Sequence, residues 1–159
     1  MINNTEYNVE NKQRGKTFKI KWSDYIEVNK FNILKKTTEM TGIFVVFTLN
    51  KYKRLTPLIL GIAWYTGFRP TLLMLCSTIS SDPIPQNIRD ILENEKNYFK
   101  YLEISNLQDM IDIYYKLSLE YSPVFKFQNG IEIIKSADNI KIDNINTKQY
   151  RKSVTLPDI

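Results

Sequence analysis

Two apolar runs separated by a basic turn constrain the fold more than any other feature of the chain. Gly42-Ile43-Phe44 opens the first run, which continues through Leu49, and Leu58 to Trp64 forms the second. Between them, Asn50-Lys51-Tyr52-Lys53-Arg54 places three cations in five residues. Neither run alternates polar with apolar side chains. A strand of that kind has both faces covered, so these segments belong in the middle of a sheet with elements packed above and below. The pattern predicts strands over Gly42–Leu49 and from Pro57 or Leu58 to Tyr65. Thr66-Gly67 ends the second strand, and Pro70 suits the first turn of a following helix. Leu72, Leu73, Leu75, Cys76 and Ile79 make that helix apolar almost all round.

The flanking segments supply the rest. Phe18, Ile20 and Trp22 alternate with Lys19 and Lys21, which predicts a short half-buried strand. Ser23, with Asp24 and Glu27 in the next turn, is placed to cap a helix ending near Thr37 or Thr38. Trp22, just before the cap, is placed to staple it. Ser80-Ser81-Asp82-Pro83 is a break. Ile84, Ile88, Ile91 and Leu92 recur at helical spacing and predict an amphipathic helix from Pro85 to about Asn94. Tyr98 to Ile104 reads as a strand. Ser105 and Gln108 have the form of a capping box. They open a helix with a stripe of Leu107, Met110, Ile111, Tyr114, Leu117 and Tyr121, and with Asp109, Asp112, Lys116 and Glu120 opposite. Ser122-Pro123 stops it. Asn129-Gly130, between the apolar residues of 124–127 and 131–134, predicts a hairpin.

The expected organisation is a flexible N-terminal tail over 1–15, a single globular α/β domain of the α+β kind over 16–135, and a polar C-terminal tail over 136–159. The domain is expected to hold a small central sheet of about three core strands with flanking helices, and a short C-terminal hairpin.

Composition removes several kinds of chemistry. Histidine is absent, which excludes serine–histidine and cysteine–histidine catalysis and every histidine metal site. The single cysteine, Cys76, permits no internal disulfide and reads as a buried structural thiol. Without a disulfide framework the cytoplasm is the expected compartment. The first residues show no charged-then-apolar signal pattern. Arg69-Pro70, with Gly61 and Gly67, interrupts the only membrane candidate, Leu55 to Ile79, so no membrane partner is expected. The net charge of +5 is uneven, because residues 1–60 hold eleven Lys/Arg against five Asp/Glu. Such an excess either meets phosphate backbones or is a solvated basic surface; both readings stand.

The order strand, strand, helix, short helix, strand, helix resembles the small α/β core of the GIY-YIG nucleases. Gly42-Ile43-Phe44 is similar to their first motif and Tyr65-Thr66-Gly67 to their second. Glu120-Tyr121-Ser122-Pro123 is similar to the end of their last core helix. The resemblance covers about residues 40–127. It implies phosphodiester hydrolysis with one divalent metal held by hard oxygen ligands, Mg2+ or Mn2+. In that chemistry a tyrosine helps deprotonate water, an arginine on the first helix steadies the phosphate, and a glutamate on the last helix holds the metal. Here the first-motif tyrosine is Phe44. Tyr65 keeps the second. The nearest arginine is Arg69, two residues after Gly67. The glutamate position is Tyr114, with Asp112 nearby. The resemblance therefore implies Tyr65 and Arg69 as catalytic residues and Asp112 as metal ligand only in a rearranged active site. Otherwise it implies a degenerate member without ordinary nuclease activity and with no cofactor.

The expected function is nucleic-acid binding, to DNA or RNA. Lys51, Lys53 and Arg54, with Lys16, Lys19, Lys21, Lys35 and Lys36, would meet phosphates, and Tyr52 or Tyr65 would stack on a base. The alternative is a non-catalytic interaction or scaffold module with a protein partner. A metal-dependent endonuclease is the second alternative.

Overall fold

The two apolar runs pair with each other. In a computed structural model, which describes residues 5–75 and 84–145 and the backbone of 154–155, the elements run β1 (Glu6–Lys12), β2 (Gly15–Lys21), β3 (Ile26–Glu27), α1 (Lys30–Lys36), β4 (Gly42–Leu49), β5 (Arg54–Ala63), α2 (Phe68–Leu75), α3 (Gln86–Asn94), β6 (Asn97–Glu103), α4 (Leu107–Tyr121), β7 (Phe125–Phe127), β8 (Asn139–Asn144) and β9 (Val154–Thr155). The class is mixed α+β, with two mixed sheets. The larger sheet has the order β3-β6-β4-β5-β7, with β9 pairing β5, and the smaller has the order β1-β2-β8. β4 lies between β5 and β6 and is antiparallel to both.

Alternation along the central strands divides the core in two. Ile43, Val45 and Phe47 face α4, while Phe44 and Val46 face α1, α2 and α3. Pro57 enters β5 at a bulge: the register shifts between Val46 and Phe47, leaving Leu58 as the extra residue. A proline lacks the N–H for a regular ladder, and a bulge accommodates that loss. The bulge also resets the alternation, so that Leu55 and Leu60 both face α4.

α4 is covered twice. Met110, Ile113, Tyr114 and Leu117 join the core against the large sheet, and Phe18, Ile20, Ile140 and Ile142 of the small sheet belong to the same cluster. The molecule is therefore layered as small sheet, α4, large sheet, then α1 to α3.

Several segments differ from the sequence expectation. The stretch read as an N-terminal tail contains β1, whose Tyr7 and Val9 are half-buried against the core while Asn8 between them is exposed. Two inward side chains and a full antiparallel ladder to β2 suffice to order it. The polar C-terminal stretch contains β8, parallel to β2, because Ile140 and Ile142 fill the space over α4. The Asn129-Gly130 turn forms, with both residues at positive φ and Ile131 N–H donating to the Gln128 carbonyl at 2.9 Å. No hairpin follows from it: β7 pairs in parallel with β5, and residues 131–134 form no strand. The helix expected from Ser23 begins only at Lys30, capped by Asn29, whose side chain accepts from Asn32 N–H. Ser23 instead donates its N–H to the Tyr101 carbonyl at 3.0 Å, and its hydroxyl accepts the Tyr101 N–H at 2.9 Å. α4 is capped by Asn106, not Ser105; its carbonyl oxygen side chain accepts from Asp109 N–H at 2.9 Å. Cys76, Ile79, the break at 80–83 and residues 146–153 lie outside the described residues.

Candidate nucleic-acid interface

The motif-like residues of the central stretch have packing roles. Phe44 is fully buried, and its ring lies flat on Gly61 of the neighbouring strand. A Cβ at Gly61 would sit 2.1 Å from Phe44 Cζ. A Cβ at Gly42 would fall 2.0 Å from the Leu102 carbonyl oxygen, and Gly67, at φ +86, would meet the Glu39 carbonyl at 2.1 Å. These glycines permit close backbone approach.

The three residues proposed for a rearranged nuclease site do not come together. Tyr65 is 68% exposed, in the loop after β5. Arg69 lies on the α1–α3 side of the large sheet, where its guanidinium donates to the carbonyl of Thr37, the C-cap of α1. A cation there also suits the negative end of the helix dipole. Asp112 lies on α4, across the sheet. Its carboxylate is fully buried and accepts from Ser136 N–H at 2.8 Å, Ser136 Oγ, Gln108 Nε2 at 3.0 Å and Lys16 Nζ at 3.3 Å. Both of its oxygens are occupied and an ammonium stands beside it, so the donor set does not fit a divalent cation. Among the described residues, no group of three or more carboxylate or thiol side chains is placed to hold a metal. No helix among them is long and apolar enough to cross a membrane.

The Lys51–Arg54 segment forms the exposed turn between β4 and β5. Asn50 shapes it: its side-chain oxygen accepts from Tyr52 and Arg54 N–H, and Lys53 takes a left-handed conformation at φ 59. Tyr52 is 70% exposed, with Lys51 Nζ 5.0 Å from its ring centre. Of the other lysines expected to meet phosphate, Lys19 pairs with Glu10 at 3.3 Å, while Lys35 and Lys36 are exposed on α1. Lys16 faces α4 with Phe18 and Ile20, and Lys19 and Lys21 point from the opposite face of β2.

A larger basic surface lies where the β1–β2 turn, the middle of α4 and the segment leading into β8 meet. Lys12, Arg14 and Lys16 come from the turn, Lys116 from α4, and Lys135 and Lys141 from the third segment. Among the described residues, Asp138 is the only acidic residue lining it. The surface is concave, made of adjoining hollows of about 430 Å3 and about 390 Å3 that share Lys12, Gly15, Lys16, Lys135 and Asp138. Arg14 turns the chain at φ 66. Gly15 lets β8 approach closely, since a Cβ there would lie 3.1 Å from the Asn139 carbonyl oxygen.

Asp112 holds the floor of this groove through Lys16 and Ser136. Burial pushes its carboxyl up, but the Ser136 hydroxyl and amide, Gln108 and Lys16 together hold it below the usual carboxylate range. It is therefore charged at neutral pH and neutralises Lys16 in place. Lys12, Arg14, Lys116, Lys135 and Lys141 supply the outward positive field. Lys141 also faces Asp143 at 3.8 Å, but both are largely exposed and the pair is weak. Tyr115 forms an aromatic wall, with Lys135 Nζ 4.9 Å from its ring centre. Leu119, one turn on, is 59% exposed.

Of these cations only Lys16 was among the sequence candidates. Lys12-Gln13-Arg14-Gly15-Lys16 holds three cations in five residues, as dense as the Lys51–Arg54 turn, and that signal is lost once the segment is read as a tail. Lys116, Lys135 and Lys141 join it only through tertiary structure.

A further basic group is buried. Lys100, on β6, is 4% exposed. Its Nζ lies 4.6 Å from the ring centre of Trp22, 5.4 Å from Tyr25, 5.6 Å from Phe47 and 5.4 Å from Tyr121. Burial pushes its amine down to about 7. The ring faces act the other way, because their quadrupoles attract the ammonium.

No curated protein and no solved structure gives a significant match to the chain. A family model matches residues 7–155, a span that includes β1 from Tyr7 on, the central sheet, α4, β8 and every cation of the groove. The chain belongs to that family, which is described as "Uncharacterised protein".

Proposed function

We propose that the protein binds nucleic acid through the groove between the β1–β2 turn, α4 and the start of β8. The observation that carries this reading is that six basic residues from three separate segments line adjoining hollows beside an aromatic wall, with Asp138 as the one acidic lining residue among those described. Phosphate contacts supply most of the affinity in such interfaces, and aromatic faces accept bases. The Lys51–Arg54 turn is a second, convex contact. The observed order of β4, β5, α2, α3, β6 and α4 supports the resemblance to the GIY-YIG core. The separation of Tyr65, Arg69 and Asp112 supports a member without that family's hydrolysis. The cytoplasm remains the compartment proposed for it.

The test is fluorescence anisotropy with short labelled DNA and RNA at about 50 and 200 mM salt. If the five cations that Asp112 does not neutralise all meet a single strand, log K is expected to fall with log salt at a slope of about −3.5. Reversing charge at Lys12, Lys116 and Lys135 is expected to flatten that slope strongly, and reversing Lys51 and Lys53 only slightly. Absence of binding at low salt would sink the proposal. Equal effects of the two sets would move the site away from the groove.

A further inference from the structure

We infer that the groove takes unpaired nucleotides, with a base stacked on Tyr115. This deepens the nucleic-acid reading above and rests on it. The first observation is size. Hollows of about 430 Å3 and about 390 Å3 lie in the range of small-ligand pockets. They admit one or two nucleotides of a single strand. A duplex presents its phosphates along grooves about 6 or 12 Å wide, and it would meet only the rim of so small a concavity.

The second observation is the lining. A site built for backbone phosphate alone needs cations and polar donors. This one also presents Tyr115 and the exposed Leu119 on successive turns of α4, with Lys116 beside them. Lys135 already rests 4.9 Å from the Tyr115 ring centre. The same lysine is tied to the Asp138 carbonyl at 3.3 Å, so it sits at the mouth of the groove beside the aromatic face. A base that takes over that face displaces a cation towards the adjoining phosphate, where it is better placed. Stacking of this kind is tolerant of sequence because every base has a π-face.

The third observation is rigidity. Lys16 and Ser136 are fixed by the buried Asp112 carboxylate, and α4 is held between two sheets. The aromatic wall and the phosphate contacts therefore keep a constant separation, which suits repeated base-and-phosphate spacing along a strand.

The experiment compares four labelled probes of equal length with the intact protein: single-stranded DNA, single-stranded RNA, a duplex, and an abasic deoxyribose-phosphate strand. Either or both single strands are expected to bind about tenfold more tightly than the duplex and the abasic strand at one salt concentration. Tyr115→Ala is expected to remove most of that preference without changing the salt slope, and Tyr115→Phe to keep it. Salt-sensitive binding that is equal for all four probes would overturn the stacking inference and leave the phosphate reading standing. Binding of none of them would overturn both. The abasic comparison uses the unmodified chain, so it decides the matter even if Tyr115→Ala fails to fold.

Discussion

Replacing Lys100 by methionine tests how the interior tolerates a charge. Methionine keeps most of the volume and removes the amine. Burial pushes the Lys100 amine down to about 7 in the folded chain, from the ordinary lysine value of about 10.5. Between those values the unfolded chain carries the proton and the folded chain does not, so stability rises with pH across that window. Below about pH 7 both states are protonated and the whole burial penalty is present; above about pH 10.5 it is gone. At about 1.4 kcal/mol per pH unit, the full window corresponds to at most about 5 kcal/mol. Four ring centres lie 4.6 to 5.6 Å from Nζ. At about 0.5–2 kcal/mol each, and less than additive, they offset about half of it. The net expectation is that wild type gains about 1 to 3 kcal/mol on Lys100→Met between pH 6.5 and 9.5, less the more of the penalty the rings offset. The assay is paired urea melts at several pH values in that range. Tyr25 is pushed up to about 12 by burial, and such groups destabilise the fold only above about pH 10; subtracting the methionine variant removes their contribution. Parallel stability curves would refute the reasoning, since they would mean that the aromatic surroundings hold the ammonium as well as water does.

Three other substitutions probe the remaining elements. Gly61→Ala drives a Cβ into the Phe44 ring and is expected to destabilise by about 1–3 kcal/mol, with Phe44→Leu restoring part of the loss; urea melts of the single and double variants check it, and an unaffected Gly61→Ala would contradict the flat stacking. Arg69→Ala removes the donor to the Thr37 carbonyl and is expected to cost about 1–3 kcal/mol while leaving nucleic-acid affinity and its salt slope unchanged in anisotropy titrations; lost binding or lost strand cleavage would return Arg69 to the functional site. Asp112→Asn breaks a buried pair and is expected to destabilise by about 3–5 kcal/mol at neutral pH. Because the Asp112 carboxyl is held low, the stability it contributes is complete above the unfolded value of about 4 and is lost as pH falls further; acid titration by circular dichroism should therefore show the gap between wild type and variant closing below about pH 4.

The centre of the fold was legible because its signals are local. β4 is bounded by Gly42 and Leu49 as the apolar pattern indicates, α3 and β6 match their expected spans within a residue, and the α4 stripe from Met110 to Tyr121 is buried, though Leu107 is exposed and Asp112, placed on the polar face, is buried too. The edges were not legible, for one physical reason. β1 and β8 each carry two inward side chains, Tyr7 and Val9 or Ile140 and Ile142, which is too little for periodicity to register in a polar, asparagine-rich stretch. Their order comes from a ladder with β2 and from the surface of α4. The helix expected at Ser23 failed in the same way, since its capping signal was real but the hydroxyl was claimed across the sheet by Tyr101. The candidate site follows this division: Lys51 to Arg54 could be read from sequence, whereas the groove needed β1, α4 and β8 brought together.

That division bears on where any function resides. The central sheet is closed on both faces, by α1 to α3 on one side and by α4 on the other. Its motif-like residues are spent on packing, as the fit of Phe44 to Gly61 and of Arg69 to the end of α1 illustrates. An unelaborated core of this kind would leave the outer face of α4, with Asp112, Tyr115 and Lys116, in solvent. The small sheet changes this. It buries Asp112, which then holds Lys16 and Ser136, and it brings the basic residues of the β1–β2 turn and β8 to the same surface as Tyr115. The groove is thus a product of the two chain segments that flank the core, and substitutions that weaken the β2–β8 pairing, such as a proline at Lys141, should abolish binding while sparing the central sheet. Hydrogen exchange would separate the two, with amides of β4 and β6 remaining protected after those of β8 are lost; joint loss of protection would show that the small sheet is an integral part of one cooperative core.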